Sequence, residues 1–194
     1  WTNAEPGTNP GVLHQQNSMR DAIVAALNFH IFHEHADRVA MTNIAQTINV
    51  LQAMILTDKE KMLRTPTYWV FEMFKVHQGG TYLPIEYEAP AYEHGDKEVP
   101  AISASATQDP ETKTVHLSLV NTHPTQPQPL KINLGQDFAP SVPARVLTAE
   151  TFDAHNTFDN PDKVSPAPFE DATPQNGTLN ITLPPLSGAR LPWQ

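Results

Sequence analysis

Arg38-Val-Ala-Met-Thr-Asn-Ile-Ala45 is short and mostly apolar. A strand buried on both faces reads this way, because side chains on either side of the pleat must meet apolar neighbours. Upstream, Asn17-Ser-Met-Arg-Asp21 opens a run in which Ile23, Ala26, Leu27, His30 and Ile31 fall at helical spacing. Asn17 or Ser18 is the expected cap, and the helix should fade near residues 34–36. Downstream, residues 49–56 read as a short amphipathic helix. Thr65-Pro66-Thr67 starts another, with Thr65 as cap and Pro66 at the first helical position; Gly79-Gly80 stops it. Helix, strand, helix is an α/β arrangement. One strand cannot make a sheet, so this part reads as a piece of something larger.

The chain changes character near residue 84. Of 19 prolines only Pro6, Pro10, Pro66 and Pro84 lie in the first part, whereas all 5 Met do. Seven of the 21 Asp and Glu precede residue 85 and fourteen follow it, so the second part is acidic and Pro-rich. A break of this kind marks a boundary between architectures. Strands are expected over 82–88, 101–108, 114–121, 130–134, 144–150, 177–183 and 188–192. Val115-His-Leu-Ser-Leu-Val120 and Leu179-Asn-Ile-Thr-Leu183 alternate with period two. Seven short strands in this space suggest an antiparallel sandwich. Residues 153–175 have little periodicity and read as a long ordered loop folded over a neighbour.

Composition narrows the function. With 194 residues and 39% apolar content, the chain can build a packed core. Its net charge of -9 argues against a nucleic-acid or anionic-membrane partner. No apolar run is long enough to span a bilayer. The first residues carry neither a basic nor an apolar leader segment, which favours the cytoplasm over secretion. The chain has no Cys, which removes disulfides, thiolate metal sites and Cys nucleophiles.

Several residues invite chemistry. On a helix His30, His33, Glu34 and Asp37 share a face, as a metal-ligand set would. The order is not His-Glu-x-x-His, and the favoured reading is a polar outer face with no metal. His14, His77, His94, His116, His123 and His155 read as surface or turn residues. Glu86 and Glu88 share a face of an expected strand, where solubility explains them better than sugar acid–base chemistry. Asp58-Lys-Glu60-Lys reads as a solvated turn. Asn43-Ile-Ala-Gln46 is more suggestive. In a parallel barrel the C-terminal ends of strands carry the active site, and amides there can hold a ligand hydroxyl.

Longer segments resemble a known family. Glu5-Pro-Gly-Thr-Asn-Pro-Gly11, Met19-Arg-Asp-Ala22, His35-Ala-Asp-Arg-Val39, Asn43-Ile-Ala-Gln-Thr47, Asn49-Val-Leu-Gln-Ala-Met-Ile-Leu-Thr57, Lys75-Val-His-Gln78 and Asp153-Ala-His-Asn-Thr-Phe158 are similar to the C-terminal part of glycoside hydrolase family 51 α-L-arabinofuranosidases. The resemblance implies α/β plus all-β architecture: the last elements of a (β/α)8 TIM barrel, then an antiparallel β-sandwich of jelly-roll type. Residues 1–81 would be the C-terminal portion of the catalytic barrel, with 38–45 as its eighth strand, and 82–194 the sandwich.

The activity implied is retaining, exo-acting hydrolysis of terminal non-reducing α-L-arabinofuranosyl groups of arabinan or arabinoxylan oligosaccharides. It needs two glutamates about 5–5.5 Å apart and no cofactor. Both would lie upstream of Trp1, so this chain would hold no catalytic residue. Gln46 matches the glutamine that reaches the arabinose subsite. Trp1 would line the leaving-group side with an apolar ring, and His14 shares its loop. The implied partners are the N-terminal barrel portion of the same enzyme, an arabinose-containing oligosaccharide and further copies of the enzyme, up to a hexamer. The alternative is a non-catalytic carbohydrate-binding or interaction sandwich, with residues 1–84 as an appendage.

Overall fold

The computed structural model describes residues 17–45, 47–50, 53–133, 143–170 and 176–193. The first helix, α1 (Met19–Glu34), is capped by Ser18, one of the two residues expected there. The backbone N–H of Ser18 donates to Asp21 Oδ2 at 2.8 Å and its hydroxyl does so at 3.0 Å, which closes the first turn. The next two helical N–H groups go elsewhere: Met19 donates to the carbonyl of Ala154 and Arg20 to that of Phe152. The expected long loop thus folds over a neighbour and caps the helix.

A hairpin, β1 (Ile55–Asp58) and β2 (Lys61–Arg64), follows, turning at residues 58–61 where Lys59 takes φ 54. Helix α2 (Pro66–Phe74) then begins as read, with Thr65 Oγ1 accepting from the N–H of Tyr68 at 3.4 Å. A 3-10 turn (Lys75–His77) ends it, and Gly79 takes φ 72 beyond. Asn17 ties the two helices at their starts: its Nδ2 donates to Thr67 Oγ1 at 2.8 Å and its Oδ1 accepts from the Thr67 N–H.

The rest is strand and loop: β3 (Thr81–Leu83), β4 (Ala91–His94), β5 (Lys97–Pro100), β6 (Ile102–Gln108), β7 (Val115–Asn121), β8 (Gln128–Asn133), β9 (Arg145–Thr148), β10 (Ala167–Pro168), β11 (Thr178–Leu183) and β12 (Ser187–Trp193). The main sheet has the order β10-β9-β12-β7-β6-β3, antiparallel throughout. The β8–β11 pair faces it across a core of Ile102, Ala106, Leu117, Leu119, Leu179, Ile181, Leu183, Leu191 and Trp193. That is the expected antiparallel sandwich, with six strands against two among the described residues.

The opposite face of the main sheet is covered by the helices. Met19, Ala22, Ile23, Ala26, Val70, Met73 and Phe74 form one core with Val120, Leu147, Val164 and Leu186. Alternation along β7 explains both layers: Leu117 and Leu119 point into the sandwich, His116, Ser118 and Val120 towards the helices.

Three expectations fail. Residues 39–44 form no strand, and Met41 is 77% exposed. A doubly buried strand needs a pairing neighbour on each side, and among the described residues none flanks this one. The helix expected over 49–56 is absent among its described residues: 49, 50, 53 and 54 are irregular, and Ile55 and Leu56 belong to β1. Asn49 sits at φ 58, where a helix cannot propagate, and its side chain instead holds Thr57 through two hydrogen bonds. The strand expected over 82–88 stops at Leu83, and the chain reverses later in the β4–β5 hairpin at Gly95, φ 62. Glu86 and Glu88 therefore stand exposed on an irregular segment rather than on one strand face.

Candidate functional site

Trp1, His14 and Gln46, the three residues implied to line a sugar subsite, lie outside the described residues. Asn43, read together with Gln46, is among the described residues. Asn43 and Ile44 line a recess of about 260 Å³ with Thr42, and Ala25, Asn28, Phe29 and Phe32 of α1 and Phe71 of α2 form its other wall. Phe29 meets Phe71 edge-on, with ring centroids 4.7 Å apart. Asn43 thus stands beside a largely apolar wall formed by both helices.

The polar feature that the sequence reading missed lies on the sheet side of α1. His30 is buried, not on an outer face. Its Nδ1 lies 2.8 Å from Ser103 Oγ and its Nε2 3.0 Å from Ser118 Oγ. Ser118 directs its own hydroxyl hydrogen to the carbonyl of Ser105, so it accepts from His30. The network therefore assigns the proton of His30 to Nε2 and makes Nδ1 the acceptor from Ser103. His33 Nδ1 lies 3.0 Å from Ser105 Oγ, and His77 Nδ1 2.8 Å from Thr107 Oγ1.

Ser103, Ser105 and Thr107 are alternate residues of β6 and so project from one face. They form a row of hydroxyls, each matched by one imidazole from α1 or the 3-10 turn. His33 and His77 lie with ring centroids 4.6 Å apart, and His116 of β7 stands 6.2 Å beyond His77. His30 stacks on Phe74 at 5.6 Å. His77 and His116, expected at the surface or in turns, belong to this layer.

Burial pushes all four imidazoles towards the neutral form. It lowers His30 to about 3, with the neighbouring His33 adding to the effect. It lowers His33 to about 4. His77 falls to about 2, first through burial and then through the facing His33, His30, His116 and Arg190. His116 is lowered by burial and Arg190, against a weaker pull from Asp109. Neutral imidazoles are metal ligands in principle, but among the described residues no three His, Asp or Glu side chains are grouped to hold an ion.

The fold defines an antiparallel sandwich with a helical layer on its larger sheet. The chain belongs to the alpha-L-arabinofuranosidase C-terminal domain family, whose model matches residues 1–187. An intracellular exo-alpha-L-arabinofuranosidase of Bacteroides ovatus is 43% identical over 100% of this chain and 38% of its own length. A family GH51 arabinofuranosidase from Xanthomonas axonopodis pv. citri superposes with TM-score 0.90 at 45% identity, covering 97% of this chain and 38% of that one. A family 51 alpha-L-arabinofuranosidase from Bifidobacterium longum gives TM-score 0.81 at 26% identity, over 99% and 38%. The chain thus corresponds to the C-terminal part of such enzymes and spans 38% of their length.

Proposed function

We propose that this chain supplies the C-terminal portion of a retaining, exo-acting α-L-arabinofuranosidase that removes terminal non-reducing α-L-arabinofuranosyl groups from arabinan or arabinoxylan oligosaccharides. The observation that carries the reading is the match over residues 1–187, joined to high identity with enzymes of which it spans 38%. Residues 1–81 then complete a (β/α)8 barrel and residues 82–194 form the sandwich beside it. Gln46 reaches the arabinose, Trp1 and His14 line the same pocket, and both glutamates come from the upstream portion. One attacks the anomeric carbon and the other serves as acid, then base.

Two features support this reading. Residues 38–45 have strand composition and no pairing neighbour among the described residues. Ile31, Met41, Ile48, Val50 and Met62 are exposed, as apolar residues awaiting a cover would be. The cytoplasm is the favoured compartment, since the Bacteroides ovatus relative is named intracellular. No helix among the described residues is long and apolar enough to cross a membrane.

The test is hydrolysis of 4-nitrophenyl α-L-arabinofuranoside by this chain alone and by the chain joined to the upstream polypeptide of its own gene. The expected results are no turnover in the first case and turnover with retained anomeric configuration in the second. Gln46→Ala in the joined protein should lower kcat/KM by about 10- to 100-fold, the size of a lost polar contact to the reacting sugar. Turnover by this chain alone, or inversion, would overturn the reading. Sugar binding to the isolated sandwich without turnover by the joined protein would move it to a binding module.

A further inference from the structure

The interface between the helices and the sheet is not uniform. Around Val120, Leu147 and Leu186 it is apolar. Over β6 it is built from imidazoles on one side and hydroxyls on the other. An apolar seam is indifferent to pH, whereas an imidazole seam holds only while its rings are neutral. We propose that the seam between α1, the 3-10 turn and β6 is an acid-sensitive latch: protonation of His30, His33 and His77 releases this edge of the helical layer while the sandwich stays folded.

The geometry supplies the reasons. The three rings lie in one continuous row, with His30 and His33 at 6.4 Å and His33 and His77 at 4.6 Å between centroids. Charging any one of them places it against the next, and two charges at such spacing repel strongly away from water. The hydrogen-bond partners are neutral hydroxyls, which compensate a buried cation poorly. His77 Nε2 and His116 Nδ1 are buried without a hydrogen-bond partner, so a proton taken up there would be unshared.

The charged groups around the seam do not rescue it. β6 contributes only hydroxyls to this face. β7 contributes His116, and β12 contributes Arg190, a cation. Arg145 of β9 and Glu72 of α2 pair with each other at 3.3 Å, and Glu72 also meets Lys75 of the 3-10 turn. Asp109 beyond β6 pulls on His116 only weakly, and it already accepts the N–H groups of Glu111 and Thr112. Glu34 ends α1 on its exposed side, towards Tyr82 of β3. Asp21 closes the first turn of α1 through Ser18, far along the helix from the seam.

The direction in pH follows from linkage. In the released form each imidazole titrates near its ordinary 6.5; in the closed form burial holds it well below that. The released form therefore binds more protons, and closure is fully favoured above 6.5 and lost progressively as pH falls below it. Three protons taken up together shift the opening equilibrium on the order of 10,000-fold between pH 7 and pH 5.

The experiment is amide hydrogen exchange of the protein from pH 7 to pH 5, corrected for intrinsic rates. The expected result is loss of protection in α1 and residues 75–78, with β7 and β12 retaining theirs. His33→Gln keeps a group able to bond Ser105 and removes one titrating ring. It should flatten the pH dependence by about 25-fold over the same window. If that variant fails to fold, the slope of wild-type opening with pH counts the protons directly, and a value approaching three is expected. Helical protection that stays flat from pH 7 to 5, helix and sheet opening together below pH 4, or a His33→Gln slope equal to wild type would each overturn the proposal.

Discussion

Asn156 is 2% exposed and sits in the loop that covers the start of α1. Its Nδ2 donates to the carbonyls of Arg64 at 2.8 Å and Val164 at 2.9 Å, and its Oδ1 accepts from the Val164 N–H at 2.6 Å. One side chain thus closes the loop on itself and fastens it to the end of β2. Asn156→Ala leaves all three backbone groups without this partner. A hydrogen bond contributes about 1 kcal/mol net, and a buried group left unsatisfied costs about 1–3 kcal/mol. The two Val164 groups are deeply buried and the Arg64 carbonyl less so, which gives a total of about 4 kcal/mol. With a urea slope of about 2 kcal/mol per M, the unfolding midpoint should fall by about 2 M. The assay is urea unfolding followed by circular dichroism, comparing midpoints at an unchanged slope. Asn156→Asp is the control for shape. It keeps the acceptor but sets a carboxylate against two carbonyl oxygens, so it should be no more stable than the alanine variant at pH 7. A shift under about 1 kcal/mol for Asn156→Ala would refute the claim that this residue organises the loop.

Two further substitutions probe the helical layer. Met73 is 1% exposed in the core shared by α2 and the sheet, so Met73→Ala should cost about 3 kcal/mol by the same assay; a cost below 1 would mean that the layer is loosely packed. At Gly80 an added Cβ would lie 3.1 Å from Cβ and Oγ1 of Thr107 and 3.2 Å from the His77 carbonyl oxygen. Gly80→Ala should therefore displace Thr107, disturb its bond to His77, and lower the thermal midpoint by an amount equivalent to about 1–2 kcal/mol, whereas an unchanged midpoint would show that Thr107 is free to move.

What was legible in the sequence was what local chemistry decides. Ser18 with Asp21, Thr65 with Pro66, and Gly79 mark helix ends through groups within a turn of each other. The alternation in β11 needs only one buried face, and in β7 it separates an apolar core on one side from a partly polar seam on the other. Residues 38–45 form no strand here because strand formation is a property of a pair, and apolar composition cannot provide the neighbour. The 49–56 stretch was misread because one backbone position, Asn49 at positive φ, outweighs a short amphipathic pattern. For the histidines the signal was present but weighed wrongly. His30 follows Ala26 by four residues and Ile23 by seven, so it shares their buried stripe. The hydroxyls at 103, 105 and 107 were the matching clue, since three on one strand face imply polar neighbours across the interface. His77 and His116 could be added only in three dimensions, because nothing local ties a residue after α2 to the start of β7.

The distribution of exposed apolar side chains separates the two halves of the chain in physical terms. Among the described residues, the large apolar side chains Ile31, Met41, Ile48, Val50 and Met62 are exposed before residue 84, and only Tyr87 and Val99 after it. The sandwich has both faces of its main sheet covered: the inward stripes of β6, β7, β11 and β12 find partners within residues 82–194, and the outer face, Val120 included, is covered by the helices. The helices have only one of theirs covered. One face packs on the sheet through Met19, Ala22, Val70 and Met73, while Ile31 and, beyond the helix, Met41, Ile48 and Val50 face outward. An element that buries one face and leaves the other apolar is stable only if something else covers it. In the proposed enzyme the upstream barrel is that cover. Joining the upstream polypeptide should then protect the amides of residues 39–50 from exchange and leave β7 and β12 unchanged. Amides at 39–50 that exchange equally fast with and without that polypeptide would remove the reason for reading residues 38–45 as a strand in waiting.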